Sequence, residues 1–216
     1  MIAPVTELLS AFVDIFLPPH EDVVRARALS ERDLAHLLEP RTAGAEWIFV
    51  LFPYRDPRIR ALIRAVKYHA ETKALALVGA ILGEYVFETI AEKKLFSGWE
   101  HPLLVPVPAS RERQRARGYN QAERIALAAL PALGSAAEFS PNALVREDRK
   151  SQVTMERSKR KENIRDAFRV PDVSLVKSRA VILIDDVVES GSTLADARRA
   201  LRAAGAKSVM GIALAH

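Results

Sequence analysis

The chain has 216 residues, a net charge of +5 and no cysteine, which excludes disulfides and thiolate metal centres. Its hydrophobic fraction of 49% and charged fraction of 27% are ordinary for a globular protein, and the length holds one full α/β domain with a modest extension. No uninterrupted apolar run approaches the ~20 residues of a membrane span; the longest, from Ala74, is cut by Glu84. The N-terminus has no basic leader and carries Glu7 and Asp14 inside its apolar stretch, so no signal peptide and no membrane partner are expected. The cysteine-free composition fits a reducing cytoplasm.

Residues 4–17 read as a short amphipathic helix, with Leu8, Leu9, Phe12, Ile15 and Phe16 at helical spacing and Pro18-Pro19 as its stop. Ser30, with Asp33 three residues on, marks the start of a second short helix that Pro40 ends. Residues 47–53 predict a strand. Asp56-Pro57 is an N-cap followed by a first-turn proline, and Ile59, Leu62, Ile63 and Val66 form the apolar stripe of the helix behind it. A longer helix is expected over about 72–94.

From Leu103 the pattern becomes β-α-β. LLVPVP is a strand, residues 110–117 a basic connector, and Gly118 precedes a helix carrying Ile125, Leu127 and Leu130. A weak strand lies near 143–146. Residues 149–168 are polar, charged and without period, as an exposed hairpin or flap would be. Residues 180–185 predict a central strand, 194–204 a helix ended by Gly205, and 209–215 a final strand. Strands alternating with helices give an α/β fold, a doubly wound and mainly parallel sheet, with a helical N-terminal extension. The expected division is residues 1–45 for the extension and 46–216 for the α/β domain.

The most informative stretch is 181–193, VILIDDVVESGST. A wholly apolar run reads as a strand buried on both faces, and it ends in Asp185 and Asp186. Acids at the carboxyl end of such a strand sit where open α/β sheets bind ligands. Ser190, Gly191, Ser192 and Thr193 then open a helix, whose free N–H groups suit a phosphate, Gly191 allowing close backbone approach. Carboxylates beside an anion cradle suit a sugar phosphate with a divalent cation. Positive charge is concentrated in two segments, net +3 over 111–124 and net +4 over 146–169, which points to a polyanionic ligand. Ser110, Arg111, Arg115 and Arg117, after the LLVPVP strand, form a second anion trap. The missing G-x-x-x-x-G-K-[ST] and G-x-G-x-x-G fingerprints argue against a P-loop or dinucleotide-binding protein.

These residues also resemble a known family. Residues 181–193 resemble the phosphoribosyl-diphosphate (PRPP) loop of type I phosphoribosyltransferases. Pro106-Val107-Pro108 followed by Arg117-Gly118-Tyr119-Asn120-Gln121-Ala122 is similar to the ComF/GntX-type branch. Arg146, Gln152, Arg160, Asn163 and Ala167-Phe168, together with Arg60–Ile63, Lys67-Tyr68 and Leu17-Pro18-Pro19, extend the similarity over nearly the whole chain. Many members of that branch carry a four-cysteine zinc module near the N-terminus. This chain has none, and His20 alone cannot replace it, so residues 20–45 are expected to be a metal-free remnant.

The resemblance implies a Mg²⁺-dependent phosphoribosyltransferase in which a nitrogenous acceptor, otherwise unidentified, displaces pyrophosphate from C1 of PRPP. It assigns Asp185 and Asp186 to the ribose hydroxyls and the hydrated Mg²⁺. Residues 190–193 fall to the 5′-phosphate and Ser110, Arg111, Arg115 and Arg117 to pyrophosphate, with residues 149–161 as a closing flap. Lys67 either points inward to substrate or is a solvated helix-end lysine. Glu189 stands where members usually carry Thr, Ala, Ser or Asp. It either serves as a general base for the acceptor or projects to solvent or a flap arginine. The ComF likeness also implies a role in competence and DNA uptake, so the alternative is a non-catalytic PRPP-binding protein whose basic flap contacts nucleic acid.

Overall fold

The computed structural model describes residues 19–147 and 167–216. The helix expected over 4–17 and most of the flap expected over 149–168, including Gln152, Arg160 and Asn163, lie outside the described residues. Two short helices come first, α1 (Glu21–Arg27) and α2 (Glu31–Leu37). Helix α2 starts at the expected capping box: Ser30 Oγ accepts from Asp33 N–H, and the Asp33 carboxylate accepts from Ser30 N–H at 2.9 Å. A hairpin of β1 (Arg41–Ala43) and β2 (Ala45–Phe52) follows, then α3 (Pro57–Tyr68) and α4 (Thr72–Ser97). Asp56 caps α3 by accepting from Arg58 N–H at 2.8 Å, with Pro57 in the first turn.

The remaining elements are β3 (Leu103–Pro106), α5 (Arg111–Arg117), α6 (Gln121–Leu133), β4 (Glu138–Phe139), β5 (Val145–Arg146), β6 (Phe168–Arg169), α7 (Val173–Val176), β7 (Ala180–Val187), α8 (Ser192–Ala203) and β8 (Ser208–Ala215). The six-stranded sheet runs β1-β2-β8-β7-β3-β4, with only β1 antiparallel to its neighbour. Strands β5 and β6 form a separate antiparallel pair. The fold is therefore α/β with a mainly parallel sheet, as the alternation of strands and helices predicts.

Strand β7 shows why. Ile182 and Ile184 point into an apolar cluster with α3, α4 and α6, whereas Val181 and Leu183 point into the opposite cluster with Leu194, Ala197 and Leu201 of α8. All four residues are fully buried, so only apolar residues fit on either face. Val23, Ala26 and Leu34, from α1 and α2, belong to the first cluster, so these helices share the core of the sheet domain. The residue 45 boundary falls inside the β1–β2 hairpin.

Helix α4 is long and apolar enough to cross a membrane by length and composition. Here it lies along α6. A Cβ at Gly79 would collide with the Ala128 carbonyl, and one at Gly83 would come within 2.7 Å of the Ala129 oxygen. Glu84 sits on its exposed side.

The chain order fixes the position of the cleft. From β3 the sheet grows outward to β4, and from the adjacent β7 it grows the other way to β8. The crevice at the carboxyl ends of β3 and β7 is thus a topological switch point, the usual ligand position in open α/β sheets.

Candidate active site

A cleft of about 490 Å³ opens at that switch point, lined by the ends of β3 and β7, the β7–α8 loop, α5, and the last turn of α3. Asp185 and Asp186 form its acidic floor. Asp185 Oδ1 accepts from the Asp186 N–H at 2.8 Å, and Asp186 Oδ1 accepts from the Val187 N–H at 2.7 Å. Each carboxylate is thereby pinned at the strand tip through one oxygen. Lys67 points inward, its Nζ 3.0 Å from Asp186 Oδ2, and both side chains are less than a fifth exposed. Asp185 has no such cation at contact distance among the described residues. Burial, and secondly the neighbouring Asp186 charge, push its pKa up to about 7, against the weaker pull of Lys67 and Arg113.

The loop after β7 turns on Gly191, whose φ of +73° is a left-handed conformation. A Cβ there would also press to 3.1 Å on Ile48 Cδ1. Gly191, the N-cap of helix α8, offers no side-chain oxygen, and of the first-turn N–H groups at the cleft the Ser192 N–H makes only a long 3.4 Å bond to Ser190 Oγ. The Ser190 and Ser192 hydroxyls are 2.9 Å apart in the same loop. Backbone donors, hydroxyls and a helix N-terminus together make an anion cradle beside the acid pair.

The basic wall comes from the β3 side. Val107 N–H donates to the Ile184 carbonyl at 2.9 Å, carrying the β3–β7 pairing past the strand end. The expected connector over 110–117 is instead helix α5. Ser110 is its N-cap, accepting from Arg113 N–H, and Gly118, at φ +81°, ends it. With six polar residues and Ala116 as its one apolar residue, none of them buried, α5 has no apolar period to betray it. Helical phase then sorts the arginines. Arg113 and Arg117, four apart on one face, line the cleft, whereas Ser110, Arg111 and Arg115 fall outside its lining. Arg117 also lies over the Tyr68 ring, 5.1 Å from its centroid.

Residues 119–121 brace the cleft. Asn120 Nδ2 donates to the Val107 carbonyl at 3.1 Å, holding the β3 loop. Tyr119 Oη donates to the carbonyls of Val66 and Lys67, and Gln121 Nε2 to that of Lys67, at 3.3 to 3.4 Å. Those carbonyls belong to the last turn of α3, where no intrahelical donor remains. Gln121 is 97% buried, and its amide ties α6 to the helix end that carries Lys67.

Of the residues singled out from sequence, the structure gathers Lys67, Arg117, Asp185, Asp186, Glu189 and 190–193 around one cleft, Glu189 being exposed at its edge. Sequence reasoning missed Arg113, Arg146 and Tyr68 as lining residues and the bracing by Asn120 and Gln121. The helix start and stop at Ser110 and Gly118 is the signal that would have picked Arg113 over Arg111.

Residues 126–216, less than half the chain, match the family model of the phosphoribosyl transferase domain. The matched part includes β7, the acid pair and the Gly191 loop. No curated protein sequence matches the chain. Among solved structures it is similar to phosphoribosylpyrophosphate synthetase from Mycobacterium smegmatis, at 22% identity over 63% of this chain and 32% of that one, with a TM-score of 0.39. It is also similar to glutamine PRPP amidotransferase from B. subtilis, complexed with ADP and GMP, at 15% identity over 69% and 30% of the two chains, TM-score 0.41. A third is a hypoxanthine phosphoribosyltransferase from Staphylococcus aureus, at 13% identity over 65% and 61%, TM-score 0.37. The chain spans less than two thirds of the length of each.

Proposed function

We propose that this protein is a phosphoribosyltransferase of the ComF/GntX type, binding PRPP with Mg²⁺ and transferring the phosphoribosyl group to a nitrogenous acceptor. One observation carries the reading: a single cleft joins an acid pair at a strand tip, an uncapped helix N-terminus turned by Gly191, and an opposing wall of Arg113, Arg117 and Lys67. That sequence of negative, amide-rich and positive surfaces matches the diol, the 5′-phosphate and the pyrophosphate of PRPP.

Asp185 and Asp186 accept hydrogen bonds from the ribose hydroxyls, and their hard oxygen donors suit hydrated Mg²⁺. Burial, and secondly the Asp186 charge, raise the Asp185 pKa to about 7, and a cation bound beside the pair would offset both. Bound there, Mg²⁺ supplies charge neutralisation for the pyrophosphate leaving group. The amides and hydroxyls of 190–193 hold the 5′-phosphate and so fix C1 relative to the basic wall. Arg113 and Arg117 receive the pyrophosphate as the C1–oxygen bond breaks and the acceptor nitrogen bonds to C1. Lys67, now paired with Asp186, is within reach of the same leaving group once the acid turns to the sugar. Glu189, at the exposed edge, takes the acceptor's proton or stays in solvent.

A second reading rests on α5. Arg111 and Arg115 lie outside the cleft lining on a helix with no buried residue, which suits contact with a nucleic-acid backbone in a competence role.

Calorimetric titration of PRPP with Mg²⁺ tests the first reading. Wild type binds one equivalent and the Asp185→Asn/Asp186→Asn double variant loses it. Heat unchanged in the double variant, or absent in wild type, rejects it. Loss of DNA binding in Arg111→Ala/Arg115→Ala, with PRPP binding intact, would support the second.

A further inference from the structure

Where α1 meets the end of α3, the structure brings together His20, Asp22 and His69, none of which lines the cleft. We propose that these three side chains bind a divalent transition cation of the zinc class. One ligand atom from each lies within 4.8 Å of the others. The two imidazole rings stack at 4.9 Å between centroids, and His20 Nδ1 is 3.2 Å from Asp22 Oδ2. A tetrahedral ion with bonds of about 2.0–2.2 Å holds adjacent ligand atoms roughly 3.3 Å apart, so that edge already has coordination length.

Asp22 supplies the second observation. The residue is only 9% exposed, and its buried Oδ2 accepts no hydrogen bond, so its lone pairs are left to charge contacts alone. Arg64 Nε lies 3.3 Å from the same oxygen. It stands as the outer contact that ligating carboxylates commonly have. The His20 Nδ1 lone pair is spent only on a 3.2 Å contact with the Asp22 N–H at the start of α1, a bond the ion would replace. By contrast, Nδ1 of His36 and of His101 is tied to a backbone carbonyl, at 2.7 and 3.0 Å.

Two imidazoles and one carboxylate favour zinc, cobalt or nickel over magnesium, and three protein ligands leave the fourth position to water. Because His20 caps α1 and His69 ends α3, the ion cross-links those two helices, two residues from Lys67. The site uses residues of the stretch that the sequence suggested was metal-free, and it does not depend on what the cleft binds.

The test uses the full chain stripped with chelator, then titrated with Zn²⁺ by calorimetry and with Co²⁺ by visible absorption. Wild type takes up one equivalent, with the intense bands of four-coordinate Co²⁺, and melts at higher temperature with Zn²⁺. His20→Ala and His69→Gln each weaken binding at least tenfold, while Asp185→Asn/Asp186→Asn leaves it unchanged. Absence of saturable uptake by wild type, a six-coordinate Co²⁺ spectrum, or full affinity in both histidine variants overturns the proposal. If a variant does not fold, the wild-type Co²⁺ spectrum and its persistence in excess Mg²⁺ decide alone.

Discussion

Asp185 is held at a strand tip where an ordinary carboxylate would not choose to ionise. Its proton stays on in the folded protein until about pH 7, whereas the unfolded chain releases it near 3.8. Between those values the folded state binds the extra proton, so its contribution is fully present below about pH 4 and is lost as pH rises through 7. The ligand-free protein should therefore lose stability across this window, by something on the order of a few kcal/mol. Urea midpoints measured from pH 4.5 to 8 check this. Asp185→Asn should flatten that slope and raise the midpoint at pH 8, and an unchanged slope would show that the shift does not reside in Asp185. The acid pair and the glycine turn were readable from 181–193, because a doubly buried strand must be apolar and its first acids must lie at its end. Lys67 was ambiguous, since only the tertiary contact with Asp186 separates an inward lysine from a solvated one.

At the scale of elements, hydrophobic period decided what could be read. Helix α3, with Ile59, Leu62, Ile63 and Val66 all buried, is legible because its stripe packs into the first apolar cluster. Helix α5 buries nothing and reads as a connector, which in turn conceals that Arg113 and Arg117 share the cleft-side face. Strands β1 and β4, three and two residues long, exist through pairing with β2 and β3 and carry no local signal. The motif over 117–122 was visible but its work was not. Its tyrosine and amides satisfy the open carbonyls of α3 and the β3 loop. Gln121→Leu keeps the volume and leaves the Lys67 carbonyl with the Tyr119 hydroxyl alone, at a cost of about 0.5–1.5 kcal/mol. Chemical denaturation should show that loss. PRPP titration should show weaker binding in the same variant, because Lys67 loses its anchor. Wild-type affinity at reduced stability would confine Gln121 to a structural role.

The whole molecule is held together by two apolar clusters, one on each face of the sheet, and the cleft is only as rigid as the helices of the first. Helices α4 and α6 meet most closely at Gly79 and Gly83, against Ala128 and Ala129. About two turns along from Ala128, α6 begins at Gln121, so the helix seated by this contact also braces the Lys67 end of α3. Two effects oppose each other at Gly79. Alanine is favoured over glycine in a helix interior by about 1 kcal/mol. Here the added methyl meets the Ala128 backbone, and forcing packed elements apart costs typically 1–3 kcal/mol. The steric term should win, so Gly79→Ala lowers the melting temperature although propensity alone says it should rise. Displacement of α6 should also carry to its N-terminus and weaken PRPP binding at a distance from any ligand contact. A variant that melts higher than wild type would mean the two helices have room to separate, and the cleft would then not depend on their contact.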